Sequence, residues 1–324
     1  MNDDLYFEKR IEELERFIEE LRKFAESNDL DLSGSIRRLE RDLLRIKKET
    51  FSNLTRWQKV YLSRKVDRPQ STDYIERLIA DRVELQNDRF FGDDKALVGG
   101  LGWFLRKYPV VYLGQVRGKS TEEGMLRNFG YMHPDGYRKA RRLMKLAEKF
   151  GRPVISFIDT PGAHPGAKAE ERGQAMAIAE NLYEMARLRT PFIAVIIGQG
   201  GSGGALGVAM GDRVLMLEYA IYCVCPPEAC SGIIWKDQGE HAPEAAEGLK
   251  LTADDLYRFG IVDEVIPEPL GGAHKNPELT IKRVGRAIRR HLEELLKYDV
   301  DELVEMRYRK YRSIGVFIEK PPAP

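Results

Sequence analysis

Two stretches rich in glycine and proline hold the residue types with which this chain could do chemistry. The first runs Asp159-Thr160-Pro161-Gly162-Ala163-His164-Pro165-Gly166, where two Pro-Gly-type breaks impose a rigid, irregular backbone. The second runs Gly198-Gln199-Gly200-Gly201-Ser202-Gly203-Gly204-Ala205. Glycines let backbone approach a ligand with no Cβ in the way. At a helix start, the N–H groups of Gly203, Gly204 and Ala205 lack carbonyl partners, and such a cluster can hold an anion or a developing oxyanion. A tight strand-to-helix turn packed for steric reasons would use the same glycines.

Other motifs overlap these stretches. Gly198, Gly200 and Gly203 have the spacing of a dinucleotide fingerprint, with Glu218 twenty residues after Gly198. The helix expected after them spans about two turns, and a parallel crossover needs about a dozen residues or more. Gly200–Gly204 also fits a nucleophile elbow around Ser202, with Asp237 and either His241 or His274 able to complete a triad order. Gly114–Ser120 falls one residue short of a phosphate loop. Its Arg117 and Lys119, with nearby Arg127, are expected on solvated surface. Cys223, Cys225 and Cys230 lack a Cys-x-x-Cys pair and a neighbouring histidine cluster, so buried structural thiols are expected and no metal site. His133 and His164 fall in turns, His164 inside the first stretch.

The elements that must position these loops follow from periodicity. Pro153–Ile158 and Pro191–Ile197 are apolar runs of buried-strand type, each delivering one loop. A helix carrying Ala175, Ile178, Leu182 and Met185 follows the first loop, and a short helix near Ala205–Met210 follows the glycines. Val110–Gln115, Val214–Leu217 and Ile261–Ile266 read as further strands. Asp135 is expected to cap a helix closed by Gly151, and Thr252 with Asp255 to form a capping box for one ended by Gly260. A long amphipathic helix spans about Leu279 to Lys297. Upstream, Phe7, Ile11, Leu14, Ile18, Leu21 and Ala25 recur at helical spacing over 4–26, and Ile36, Leu39, Leu43 and Ile46 follow a polar break, which predicts a helical hairpin. The division expected is an arm over 1–52, an α/β domain over 53–297 and a C-terminal tail over 298–324.

Bulk properties narrow the function classes. With 324 residues and 43% hydrophobic content the chain can bury a full core. Lys+Arg numbers 52 against Asp+Glu 51, a balance with no general drive toward nucleic acid or acidic membranes. No apolar run is long enough to span a bilayer, and the start MNDDLYFEKR has no apolar signal pattern, so a cytoplasmic chain is expected.

Taken together, the loops resemble one family. Phe157–Ala163, Pro165-Gly166 and Ala169-Glu170-Glu171-Arg172-Gly173-Gln174 look like the signature of the acetyl-CoA carboxylase carboxyltransferase alpha subunits. Gly200–Leu206 and Pro267-Glu268-Pro269-Leu270-Gly271-Gly272-Ala273-His274 match as well, as do Asn128-Phe129-Gly130 and Gly136–Ala140. The resemblance spans nearly the whole chain in order. The family often places an aromatic residue where His164 stands and an acidic one near Gln199.

The resemblance implies an α/β, crotonase-type spiral of repeated ββα units, with an N-terminal helical hairpin and a C-terminal helical extension. It implies a beta partner that carries a zinc ribbon, an α2β2 heterotetramer, and a holo-complex with biotin carboxylase. The implied reaction moves a carboxyl group from carboxybiotin, held on the biotin carboxyl carrier protein, to acetyl-CoA, forming malonyl-CoA for fatty-acid synthesis. Gly203 and Gly204 would donate backbone N–H groups to the ureido oxygen, with Ala205 the adjacent alternative. Thr160, Pro161, Gly162, His164, Gly166, Gly200, Gly201 and Ser202 would line the substrate. Gly204→Val is expected to abolish turnover in a chain that still assembles. A stand-alone acyl-CoA enzyme of the same fold and a non-catalytic assembly subunit remain open on the sequence.

Overall fold

A computed structural model describes residues 7–316. The arm comes first, as helices α1 (Lys9–Ser27) and α2 (Ser33–Ser52) packed as a hairpin. Ile11, Ile18 and Ala25 recur every seven residues and form the buried stripe of α1. Residues 4–6 of the expected helix lie outside the described residues. On the predicted face of α2, Ile36, Leu39, Leu43 and Ile46 are half-buried, and only Phe51 at its end is buried. A small cluster of Ile11, Phe51, Leu62 and Tyr219 fastens the arm to the rest of the chain.

The short helices α3 (Arg56–Ser63) and α4 (Ser71–Leu78) lead into a sheet. Strands β1 (Ile79–Glu84), β2 (Leu97–Phe104) and β3 (Tyr108–Gln115) pair antiparallel. From β3 onward the sheet is parallel, through β4 (Val154–Thr160), β5 (Phe192–Gly201), β6 (Arg213–Leu217) and β8 (Glu264–Ile266). The three-residue β7 (Ile221–Cys223) leaves that path and pairs with Gln199–Gly201, the last turn-ward residues of β5. Every residue of β4 and β5 is buried, as parallel strands covered on both faces must be.

Helices cover the sheet: α5 (Thr121–Leu126), α6 (Pro134–Lys149), α7 (Ala167–Glu171), α8 (Gln174–Arg187) and α9 (Ser202–Leu206) precede β6. After β7 come α10 (Pro227–Ile234), α11 (Ala242–Leu249), α12 (Ala253–Arg258), α13 (Pro277–Leu295) and α14 (Val300–Arg312). One core cluster joins the strands to α6, α8, α13 and α14.

Several expectations change in detail. The cap of α6 is His133 with Pro134 in the first turn, while Asp135 sits inside that turn and binds Arg138 and Arg172 instead. Thr252 does cap α12, accepting the Asp255 N–H, and Gly260 follows at φ +70°. The helix after the first loop is split, because Gly173 adopts φ +81° between α7 and α8. β5 runs on through Gly201, so Gly198–Gly201 is strand rather than loop, and α9 begins at Ser202. The segment after Lys297 contains α14, capped by Asp299, with Leu303 and Arg307 buried.

Two fully buried ion pairs tie distant segments together. Arg68 donates to both Glu268 oxygens at 2.8 Å and to the Ile197 carbonyl at 3.0 Å, linking the approach to α4 with β5 and the segment after β8. Arg307 donates to both Asp212 oxygens at 2.8 and 2.9 Å and to the carbonyls of Met185, Leu188 and Thr190.

Candidate functional site

The two loops leave the ends of neighbouring parallel strands, β4 and β5, so the sheet itself brings them together. Thr160 pairs with Gly200 across the strands. Asp159 pins the junction: its Oδ1 accepts the Gln199 N–H at 3.0 Å and its Oδ2 accepts from Arg117 Nε at 2.8 Å. Arg117 is therefore largely buried against a carboxylate rather than solvated as expected, while Lys119 stays exposed and pairs with Asp73. Arg127 is also mostly covered and bonds Glu123.

Close backbone contact explains the glycines. A Cβ on Gly201 would lie 2.1 Å from the Pro161 carbonyl oxygen, and one on Gly204 would lie 2.3 Å from the Gly162 carbonyl carbon and 2.5 Å from the Ala163 nitrogen. The side chain of Gly204→Val would therefore push into the Gly162–Ala163 peptide and press the two loops apart. Gly203 differs, since a Cβ there would meet only Ile178 at 3.5 Å. Ser202 makes the sharp turn from strand to helix with φ +56°, a conformation uncommon outside glycine.

The predicted residues fall into three groups. Ser202 and Gly203 line a cavity of about 410 Å³. Pro161, His164 and Gly166 are partly exposed on the first loop. Thr160, Gly162, Gly200, Gly201, Gly204 and Ala205 are buried beneath the surface. Thr160 Oγ1 is engaged with Gly130 O at 2.7 Å and Gly162 O at 2.8 Å and accepts the Gly162 N–H. His164 stacks on His133 with ring centroids 4.0 Å apart, and its Nδ1 accepts the Gly166 N–H.

The amides of α9 are distinguished by helix geometry. Gly201 is the N-cap of this short helix, and Ala205 follows its first turn. The N–H groups of Gly203 and Gly204 belong to the first turn, and the residues four positions back lie in β5, so neither amide has a helical carbonyl to bond. Of these two residues, Gly203 is on the cavity wall.

The rest of the wall was not legible in the sequence. Tyr222, Cys223 and Val224 come from β7 and its continuation, and Leu249, Leu256 and Ile261 from around α12. Burial pushes both the Tyr222 phenol and the Cys223 thiol up to about 12, so both stay neutral. The cavity is thus a largely apolar slot with the first residues of α9 at one edge. Of the thiols expected to be buried, Cys230 is buried on α10, while Cys223 and Cys225 are only half-buried.

Among the described residues no hydrogen bond joins the Ser202 side chain to Asp237, His241 or His274, and both ring nitrogens of His274 are buried without a partner, so a serine-hydrolase arrangement is not assembled there. Asp237 Oδ2 does meet His241 Nδ1 at 2.5 Å, but its Oδ1 takes the hydroxyl of Ser231, also at 2.5 Å. The acid stands between serine and histidine, so this histidine cannot act as base toward that serine. Among the described residues there is no cluster of three or more metal-ligating side chains.

Comparison with known proteins decides the family. The sequence profile described as acetyl co-enzyme A carboxylase carboxyltransferase-like matches residues 4–315. The acetyl-coenzyme A carboxylase carboxyl transferase subunit alpha of Thermus thermophilus is 51% identical over 315 residues, covering 97% of this chain and 99% of that one. The chain belongs to this carboxyltransferase alpha family. A Geobacillus kaustophilus alpha subunit is 50% identical over 96% of the chain and 95% of its own length.

Among solved structures, a transcarboxylase 12S with methylmalonyl-coenzyme A bound aligns with TM-score 0.55 and 17% identity, over 82% of this chain and 46% of that one. A Pseudomonas malonate decarboxylase hetero-tetramer in complex with coenzyme A aligns with TM-score 0.56 and 19% identity, over 69% and 89%. These likenesses carry the fold alone, and it is the crotonase-type spiral expected of a carboxyltransferase alpha subunit.

Proposed function

We propose that the cavity beside α9 receives the ring of carboxybiotin, and that the Gly203 N–H, with that of Gly204 beside it, donates to the ureido oxygen as negative charge builds there. The activity itself comes with family membership: the chain is a carboxyltransferase alpha subunit of acetyl-CoA carboxylase, and the reaction forms malonyl-CoA from acetyl-CoA. An alpha subunit implies a beta partner. The finer assembly proposed is an α2β2 heterotetramer with zinc in the beta chain, served by the biotin carboxyl carrier protein and biotin carboxylase. Among the described residues no helix is long and apolar enough to cross a membrane, and a cytoplasmic place is proposed with the pathway.

The observation that carries this reading is the pairing of an apolar slot with a first-turn amide at Gly203. A bicyclic thioether with one strongly accepting oxygen suits such a slot, since ligand sites are mostly apolar with few placed polar groups. Backbone donors cost no reorganisation as charge develops, and losing one typically lowers turnover about 10²–10³-fold. The neutral walls fit a reaction whose proton is taken by the substrate's own released nitrogen. The loop Thr160–Gly166 supports the slot from below through its contacts with Gly201 and Gly204.

The test replaces one atom. Exchanging the Gly203 N–H for an ester oxygen, in the chain assembled with its beta-type partner, is expected to lower kcat for malonyl-CoA-dependent carboxylation of a biotin analogue by about 10²–10³. Unchanged kcat would remove Gly203 from the mechanism.

A further inference from the structure

We infer that Gln115 is a positioning residue for the carboxyl-transfer site, setting the plane of the Gly204 peptide and the spacing of the two loops through the two N–H bonds of its side-chain amide. This rests on the reading that the α9 amides serve the reaction. Gln115 closes β3 and is fully buried, and the sequence placed it only in the incomplete phosphate-loop pattern Gly114–Ser120 and at the end of a strand, with no role at the glycine turn.

The carbonyl of Gly204 is anomalous within its short helix. The neighbouring carbonyls keep backbone partners: Gly203 O accepts the Gly207 N–H, Ala205 O that of Val208, and Leu206 O that of Ala209. Because Val208 bonds to Ala205, no backbone N–H among the described residues reaches Gly204 O. A buried carbonyl left without a donor is costly. Gln115 Nε2 supplies one at 2.8 Å, and the Tyr137 hydroxyl stands further off at 3.4 Å.

The same Nε2 makes a second contact, to Met132 Sδ at 3.1 Å. Met132 is itself built into the first loop: it bridges Ala163, and its carbonyl accepts the His164 N–H at 3.0 Å and Gln174 Nε2 at 2.7 Å. One amide thus spans from the glycine turn to the segment that holds Ala163 and His164. Its backbone end is fixed as well, since the Gln115 carbonyl accepts from Ser71 Oγ at 2.6 Å. Tyr137 cannot replace it, because its hydroxyl reaches only Gly204.

The Gly204 carbonyl shares its peptide plane with the Ala205 N–H, and the Gly204 N–H lies in the plane just before it, so holding this carbonyl orients both amides. A donor misplaced by about 1 Å can cost on the order of 10²-fold in rate. The loss should appear in kcat and not in substrate binding, because the interaction belongs to the developing charge.

The experiment uses the chain with its beta-type partner, malonyl-CoA and a biotin analogue. Gln115→Met keeps volume and removes the donor. The expected result is a fall in kcat of about 10- to 100-fold, with KM for the biotin analogue held within about twofold. An unchanged kcat, or a loss expressed wholly as raised KM, overturns the inference. Gln115→Glu gives an independent readout that also serves if the first variant does not fold. Its protonated acid can still donate to Gly204 O, and its ionised form cannot. Its activity relative to wild type should therefore fall with rising pH along a limb that wild type lacks, and parallel profiles overturn the inference. An effect of the Gly203 ester with none at Gln115 would sink this inference alone, whereas no effect of the ester would sink the site reading beneath it.

Discussion

Arg68 and Arg307 on one side, and the turn Gly201–Ala205 on the other, are both buried, both polar and built in opposite ways. Each arginine is matched by a bidentate carboxylate and by carbonyls from other segments. Among the described residues no charged side chain lines the cavity beside the glycine turn, and its walls carry a neutral phenol and thiol. Charge here holds architecture, while the proposed site is built from bare backbone. The difference is physical: a full charge must be neutralised permanently to be buried, whereas an amide dipole can wait uncompensated at a cavity edge until charge arrives.

The strongest test of that division is Arg307→Ala. It strands the Asp212 carboxylate at 3% exposure and empties three carbonyls of their donor. Breaking one side of a buried pair typically costs about 3–5 kcal/mol. Chemical denaturation of the variant should show a loss of that size, with kcat per folded molecule close to wild type. A lowered kcat in the folded fraction would mean that the charged framework reaches into the chemistry.

Next in size is an acid-dependent contribution from Asp255. Hydrogen bonding to Arg56, outweighing burial, holds this carboxyl down at about 2 from an ordinary 3.8. A depressed carboxylate stabilises the fold above its unfolded value and loses that contribution as pH falls through the folded one. The pair joins α3 to α12, so roughly 2 kcal/mol should disappear between about pH 4 and about pH 2. Melting curves of wild type and Arg56→Met, compared at descending pH, should converge over that window. Curves that stay equally far apart would show that the pair contributes through packing instead.

The same contrast explains what could be read from the sequence. The apolar runs Pro153–Ile158 and Pro191–Ile197 announced β4 and β5, and adjacent parallel strands necessarily present their following loops side by side. The helical hairpin was legible because a repeat of four and three apolar residues has no other use. The extension of β5 through Gly201 was not, since glycine disfavours strands and its partner β7 lies some twenty residues onward. Arg117 looked solvated because its partner Asp159 is distant in sequence. Gln115 gave no local signal for the same reason, as Gly204 is 89 residues away. For α14 the signal was present: Asp299 ahead of Asp301, Glu302 and Leu303 is a helix start.

The smallest expected effect is the most discriminating. Gly203 and Gly204 are neighbours in one turn, yet only Gly203 has space for a methyl group, with Ile178 Cδ1 at 3.5 Å and no positive φ. Gly203→Ala keeps the N–H, the turn and the cavity edge, so it should change stability by less than about 0.5 kcal/mol and kcat by no more than about threefold. Gly204→Ala keeps its N–H as well but drives a carbon into the Gly162–Ala163 peptide at 2.3 Å. Its kcat should fall well beyond that of Gly203→Ala, because the loops must separate and the amides turn with them. If the two alanines behave alike, the contact between the loops does not govern where the amides point, and the difference between framework and site loses its geometric basis.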